Sequence, residues 1–335
     1  MTPCPEGARP LIDRFRLVAS RPGAAAGIPV PARRSEPLSL NRMPHPKLWA
    51  DPEWRTVGRI LGLSQDEGWY HRKAFEWTHC IYGLERLEAL GPLAAVLGVG
   101  AGHECVLYHL ANRSRLTVAT DLYSGGFVDS ISSEADPEFL ANPGKFAPFR
   151  YREEALIGLP ADGCRLPFRD GSFDVVYSLS SIEHFGGHAA AARAMAEIGR
   201  VLRVGGIACV ATELVLAGGP HPEYFTMPEI QEWLIGPSGL VLVEEIDHEL
   251  PPQEYLDDPV RIPEEALRTP HLVLAMGDLR YTSLILFLRK PGPLGLLVGG
   301  SRRMAKAAAR RVTGVGAVPP GPPPPGPGAA PAPAR

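Results

Sequence analysis

"AAVLGVGAGHE", residues 94–104, is an apolar run suited to a strand buried on both faces, followed by a glycine-rich turn and the start of a helix. Such a turn brings backbone N–H groups close to a nucleotide-like ligand. A dinucleotide fingerprint would need G-x-G-x-x-G, but the sixth position is His103 counting from Gly98 and Cys105 counting from Gly100. Neither register fits, which disfavours a nicotinamide or flavin enzyme.

Outward from this turn, short β-branched runs alternate with helical patterns, as expected of a mostly parallel sheet wrapped by helices. The strands expected are 94–99, 115–120, 173–179, 206–213, 240–246 and 281–289, with helices near 103–112, 187–203 and 227–235. Upstream, Phe75, Thr78, Tyr82, Leu84 and Leu87 recur at helical spacing until Gly91-Pro92, which predicts one or two helices before the first core strand.

The chain has 335 residues, of which 45% are apolar and 21% charged, enough to bury a sizeable core. Its net charge of −3 conceals an asymmetry, because no Asp or Glu follows Asp278 while nine Lys or Arg do. Up to Asp278 there are 25 basic residues against 37 acidic ones, a balance that argues against nucleic-acid binding. Cysteines 4, 80, 105, 164 and 209 are odd in number and form neither a C-x-x-C pair nor a metal-ligand spacing, so reduced thiols, no metal and a cytoplasmic protein are expected. The first residues lack the apolar core of a signal peptide, and no apolar run is long enough to span a membrane.

Residues 1–45, rich in Pro, Arg, Gly and Ala, read as a mobile leader, and 46–91 as a helical cap. Beyond Pro291, "SRRMAKAAARRV" sets Arg302, Lys306 and Arg310 on one helical face, before a Pro/Gly-rich end that cannot pack a core. A solvated helix is the plain reading of 301–312. Weak contact with a membrane surface or a protein partner is the alternative.

Four features recur in a telling order: Gly100-Ala101-Gly102 after the first strand, "VATDLY" (118–123) ending the second, "LPADGCRLPFRDGSFDVVYSLSSIEHF" (159–185) and "RVLRVGGIACVATE" (200–213). This order resembles the class I S-adenosylmethionine-dependent methyltransferases, especially their small-molecule branch. The resemblance implies a methyltransferase domain over 92–290, folded as a Rossmann-like, doubly wound α/β domain with a mostly parallel seven-stranded sheet and N-terminal capping helices. It implies S-adenosyl-L-methionine as cofactor, and a small-molecule acceptor such as a sugar or secondary metabolite. A cofactor-binding protein without activity, or a nucleic-acid methyltransferase, is the competing reading. "SLSSIEH" stands where a nucleic-acid enzyme would carry N/D-P-P-Y/F, which disfavours the last.

The cofactor carries a ribose diol, an adenine amine and a zwitterionic tail, so its site calls for carboxylates and close backbone. The resemblance places Gly98, Gly100, Ala101, Gly102 and Glu104 around the turn, Asp121 with Leu122 at the ribose, Asp162 with Gly163 and Cys164 at the adenine, and Ser178 in the lining. One departure stands out. Gly98 occupies the position where many relatives carry an acid, and Glu104 replaces a third glycine. Glu104 is the candidate to supply the missing carboxylate from a neighbouring position, although the helix dipole alone would favour an acid there. After the strand at 173–179, where the resemblance places the acceptor, His184 is the candidate base, with Glu183 orienting it.

Overall fold

The computed structural model describes residues 38–292 apart from 65, 67 and 125–134. The leader up to 37, the segment 301–312 where a basic helix is expected, and the Pro/Gly-rich end therefore lie outside the described residues.

The strands are β1 (Gly91–Val99), β2 (Ser114–Asp121), β3 (Leu156–Pro160), β4 (Phe173–Leu179), β5 (Leu202–Ala217), β6 (Val241–Leu242), β7 (Val260–Arg261), β8 (Leu274–Met276) and β9 (Leu279–Arg289). They form one sheet in the order β3-β2-β1-β4-β5-β9-β8-β7, with β6 also paired to β9. From β3 to β5 every pairing is parallel, whereas β9 runs antiparallel to β5. The sheet has nine strands where seven were expected. The surplus is β7 and β8, two short pieces contributed by the segment between β6 and β9. The strand expected over 240–246 shrinks to Val241–Leu242.

The longer helices are α1 (Pro52–Ile60), α2 (Arg72–Arg86), α3 (Cys105–Arg113) and α4 (His188–Val201). Alternate strand residues enter two different cores. Val96, Val175, Tyr177, Cys209 and Phe287 pack with α1, α2 and α3. Leu97, Val176, Val210 and Leu286 pack with Met195 and Ile198 of α4. Covering on both faces is why these strands read as continuous apolar runs.

The expected leader is packed into the fold from Leu38 onward. Leu40 and Met43 are each 1% exposed. The backbone of Arg42 exchanges two hydrogen bonds with Ile285, and Asn41 Oδ1 accepts from Phe287 N at 2.6 Å. The Arg42 guanidinium, buried itself, pairs with Asp247 at 3.2 Å and Glu249 at 3.0 Å. This segment closes the edge of β9 beside β6, so the cap begins earlier than the leader's composition suggests.

Candidate active site

The turn after β1 is set by glycine. Gly100 has φ 63°, and a Cβ there would lie 2.6 Å from the Ser181 side chain. Ser181 Oγ instead donates to Gly100 O at 2.7 Å, tying the turn to the end of β4. Ala101 N donates to Thr120 O, so the turn also leans on β2.

Asp121, the last residue of β2, faces this turn. Its Oδ2 accepts from Gly102 N at 3.0 Å and its Oδ1 from Leu122 N at 2.7 Å. A carboxylate accepts through both oxygens, the chemistry a ribose diol calls for. Ala161 N donates to Asp121 O at 2.9 Å, which brings the β3–β4 loop alongside. In that loop Asp162 Oδ1 accepts from Cys164 N at 2.8 Å, closing an Asx turn. A Cβ on Gly163 would meet the Phe185 ring at 2.4 Å and Val99 at 3.0 Å, so this loop lies close above β1 and the β4–α4 turn. The turn at 100–102, Asp121 and Asp162 therefore share one edge of the sheet. Leu122 is exposed beyond it. Ser178 is buried on the strand face opposite Tyr177, away from Gly98.

The missing strand-end acid has a steric explanation. A Cβ at Gly98 would lie 2.8 Å from Tyr177 Cζ and Oη and 2.7 Å from Ala101 Cβ. The space is filled by phenol. Glu104 is the residue before α3 and does not cap it with its side chain. Its Oε1 accepts from Trp77 Nε1 of α2 at 3.1 Å. The enclosed Glu104 Oε2 and Tyr177 Oη find no partner among the described residues. Burial pushes Glu104 up to about 8, with Lys73 and the Trp77 hydrogen bond pulling the other way. Burial, then the Glu104 charge, also raises Tyr177. These two unfilled polar groups fit an ammonium such as that of the cofactor's methionine tail.

The protonation of Glu104 is testable without any ligand. The folded protein holds a proton that the unfolded chain releases above about 4.5, so stability declines as pH rises from there toward 8. Glu104→Gln cannot ionise. It should unfold several degrees above the parent at pH 8 by calorimetry, with the gap narrowing toward pH 5; a gap independent of pH contradicts the assignment.

On the acceptor side, His184 sits in the turn after β4 with Nδ1 3.1 Å from Glu223 Oε2. The orienting carboxylate expected of Glu183 is thus provided by Glu223, from the loop after β5. Glu183 turns inward and is fully buried, with Thr212 Oγ1 3.4 Å from its Oε2. Beside it the first turn of α2 brings Arg72 to Glu213 and to Glu76. Sequence reasoning missed this ionic cluster, although Glu213 inside an apolar strand run and the i,i+4 spacing of Arg72 and Glu76 were both visible.

Residues 97–210 match the methyltransferase domain family. Through this stretch the chain carries a methyltransferase domain. Among solved structures it is similar to geranyl diphosphate C-methyltransferase from Streptomyces coelicolor A3(2), at 14% identity and TM-score 0.42, covering 72% of this chain and 99% of that one. It is also similar to phosphoethanolamine N-methyltransferase 2 of Haemonchus contortus, at 15% identity and TM-score 0.44, covering 64% of this chain and 53% of that one. The cyclase SpnF is a third, at 16% identity and TM-score 0.45, covering 74% and 97%.

Proposed function

We propose that the protein transfers a methyl group from S-adenosylmethionine to oxygen or nitrogen of a small-molecule acceptor bound over the carboxyl ends of β4 and β5. The observation that carries this reading is the Asp121 carboxylate, which holds Gly102 N with one oxygen and Leu122 N with the other while Ala161, next to Asp162, bonds its backbone.

When bound, the cofactor supplies an electrophilic methyl on a sulfonium. Asp121 accepts from the ribose hydroxyls, Asp162 from the adenine amine, and Glu104 Oε2 from the ammonium of the methionine tail. The Gly100–Gly102 turn lets the chain approach closely, because a side chain at Gly100 would collide with Ser181. Methyl transfer needs nucleophile, methyl carbon and sulfur in line, so positioning supplies much of the acceleration. His184, 35% exposed and paired with Glu223, is placed at the rim of the acceptor side.

Isothermal titration with S-adenosylmethionine and NAD in parallel tests the reading. Binding of S-adenosylmethionine alone is expected. Binding of NAD alone would overturn it.

A further inference from the structure

Three carboxylates meet two cations beneath the acceptor side. Arg72 Nη1 donates to Glu213 and to Glu76 Oε1, and Lys73 Nζ donates to Glu76 Oε2 at 2.9 Å and to Leu179 O at 3.3 Å. Ser283 Oγ adds a further bond to Glu76. Glu76 and Glu213 thereby neutralise Arg72 and Lys73. Glu183 is left over without a cation of its own among the described residues, its Oε2 in long contact with Thr212 Oγ1.

The orphaned atoms point the same way. Glu183 Oε1 and Glu213 Oε2 are enclosed, belong to residues 0% and 2% exposed, and have no hydrogen-bond donor among the described residues. Nε of Arg72, whose Nη1 bonds Glu213, has no acceptor among the described residues. Buried carboxylate oxygens are nearly always paired, and a bound molecule can supply the donors these two call for. One hydroxyl offers a single proton to two such oxygens. An ammonium offers up to three N–H groups and the positive charge the cluster lacks.

Resting on the methyltransferase reading, we propose that the acceptor is a primary or secondary amine with a neighbouring hydroxyl or carbonyl oxygen. Its nitrogen lies between Glu183 and Glu213, its oxygen meets Arg72 Nε, and Glu183 takes the proton that frees the nitrogen lone pair. The N–H bond of the ammonium breaks, with its proton going to Glu183 Oε1. The lone pair forms the N–CH3 bond as the C–S bond breaks, its electron pair returning to sulfur. The products are S-adenosylhomocysteine and an N-methylated ammonium, and the Glu183 proton passes to solvent. Glu183 suits this task on a second ground. Burial pushes it up to about 7, opposed by His184 and Lys73 and reinforced by Glu213. The charged and titratable groups around it are Arg72, Lys73 and Glu76 of α2, Glu213 of β5, and His184 with its partner Glu223.

The test uses matched pairs differing in one amine: serinol with glycerol, glucosamine with glucose, and phenylalaninol with phenylpropanediol. Saturation-transfer NMR on the full chain loaded with S-adenosylhomocysteine should detect the amine of at least one pair but not its hydroxyl partner. The amine signal should vanish in Glu183→Gln and return in part in Glu183→Asp. With that amine and S-adenosylmethionine, Glu183→Gln should lower kcat/KM by more than about a hundredfold and abolish the rise of kcat/KM with pH near neutrality. Binding of neither member of any pair, equal binding of both, binding of the hydroxyl members alone, or amine binding retained in Glu183→Gln overturns the proposal. Titration of S-adenosylmethionine into the same samples reports separately on the methyltransferase reading.

Discussion

Asp121→Ala should weaken S-adenosylmethionine binding by about a hundredfold, or about 2.7 kcal/mol, the loss expected when two charge-assisted hydrogen bonds are removed together. The substitution strips the acceptor from Gly102 N and Leu122 N, and in the proposed site from the ribose hydroxyls as well. Asp121→Asn separates these contributions. It keeps one acceptor oxygen and the side-chain volume, so its affinity should fall by roughly tenfold, the smaller loss expected when a charge is removed but a hydrogen bond is kept. Titration calorimetry on both variants, with thermal unfolding as the check on folding, gives the comparison. A dissociation constant unchanged in Asp121→Ala would remove the adenosyl group from this edge of the sheet.

The edge itself was legible in the sequence wherever burial was two-sided. Val96 and Leu97 enter opposite cores, as do Val175 and Val176, and such runs cannot be mistaken for surface segments. The strand β3 left a weaker trace, because it is an edge strand in which Ile157 is 50% exposed and Gly158 makes room for Phe139. β7 and β8 are two and three residues long, below the length at which alternation carries information. Leu40 and Met43 stand in a polar stretch, and the elements their segment bonds to, α2 through His79 and β9 through Ile285 and Phe287, lie far along the chain. The site divides similarly. Asp121 could be found from its place at the end of the strand after the turn, and Asp162 from the resemblance that "ADGCRLPF" carries. Glu223 on His184, and Trp77 on Glu104, come from elements distant in sequence, so no local pattern announces them.

Gly98→Asp, which would restore the acid common at this position, should instead destabilise the protein by about 4 kcal/mol and lower its melting temperature by on the order of 10 °C. The cause is on both sides of the new Cβ, since Tyr177 Cζ lies at 2.8 Å and Ala101 Cβ at 2.7 Å, and neither belongs to a flexible chain end. The carboxylate would also enter a region where Glu104 already carries an unpaired oxygen, adding a second acid beside one that burial keeps protonated. A double-mutant cycle isolates the steric part. Tyr177→Ala alone should cost about 3 kcal/mol through the cavity it leaves. Combined with Gly98→Asp, it should cost at least about 1 kcal/mol less than the sum of the two single changes, because the ring that blocks the aspartate is gone. Strict additivity would mean that Tyr177 is not what excludes a side chain at position 98. Coupling would trace the glycine at position 98 to the phenol that fills the strand end, and would favour the proposal that Glu104, on the other side of the turn, supplies the carboxylate for the methionine ammonium.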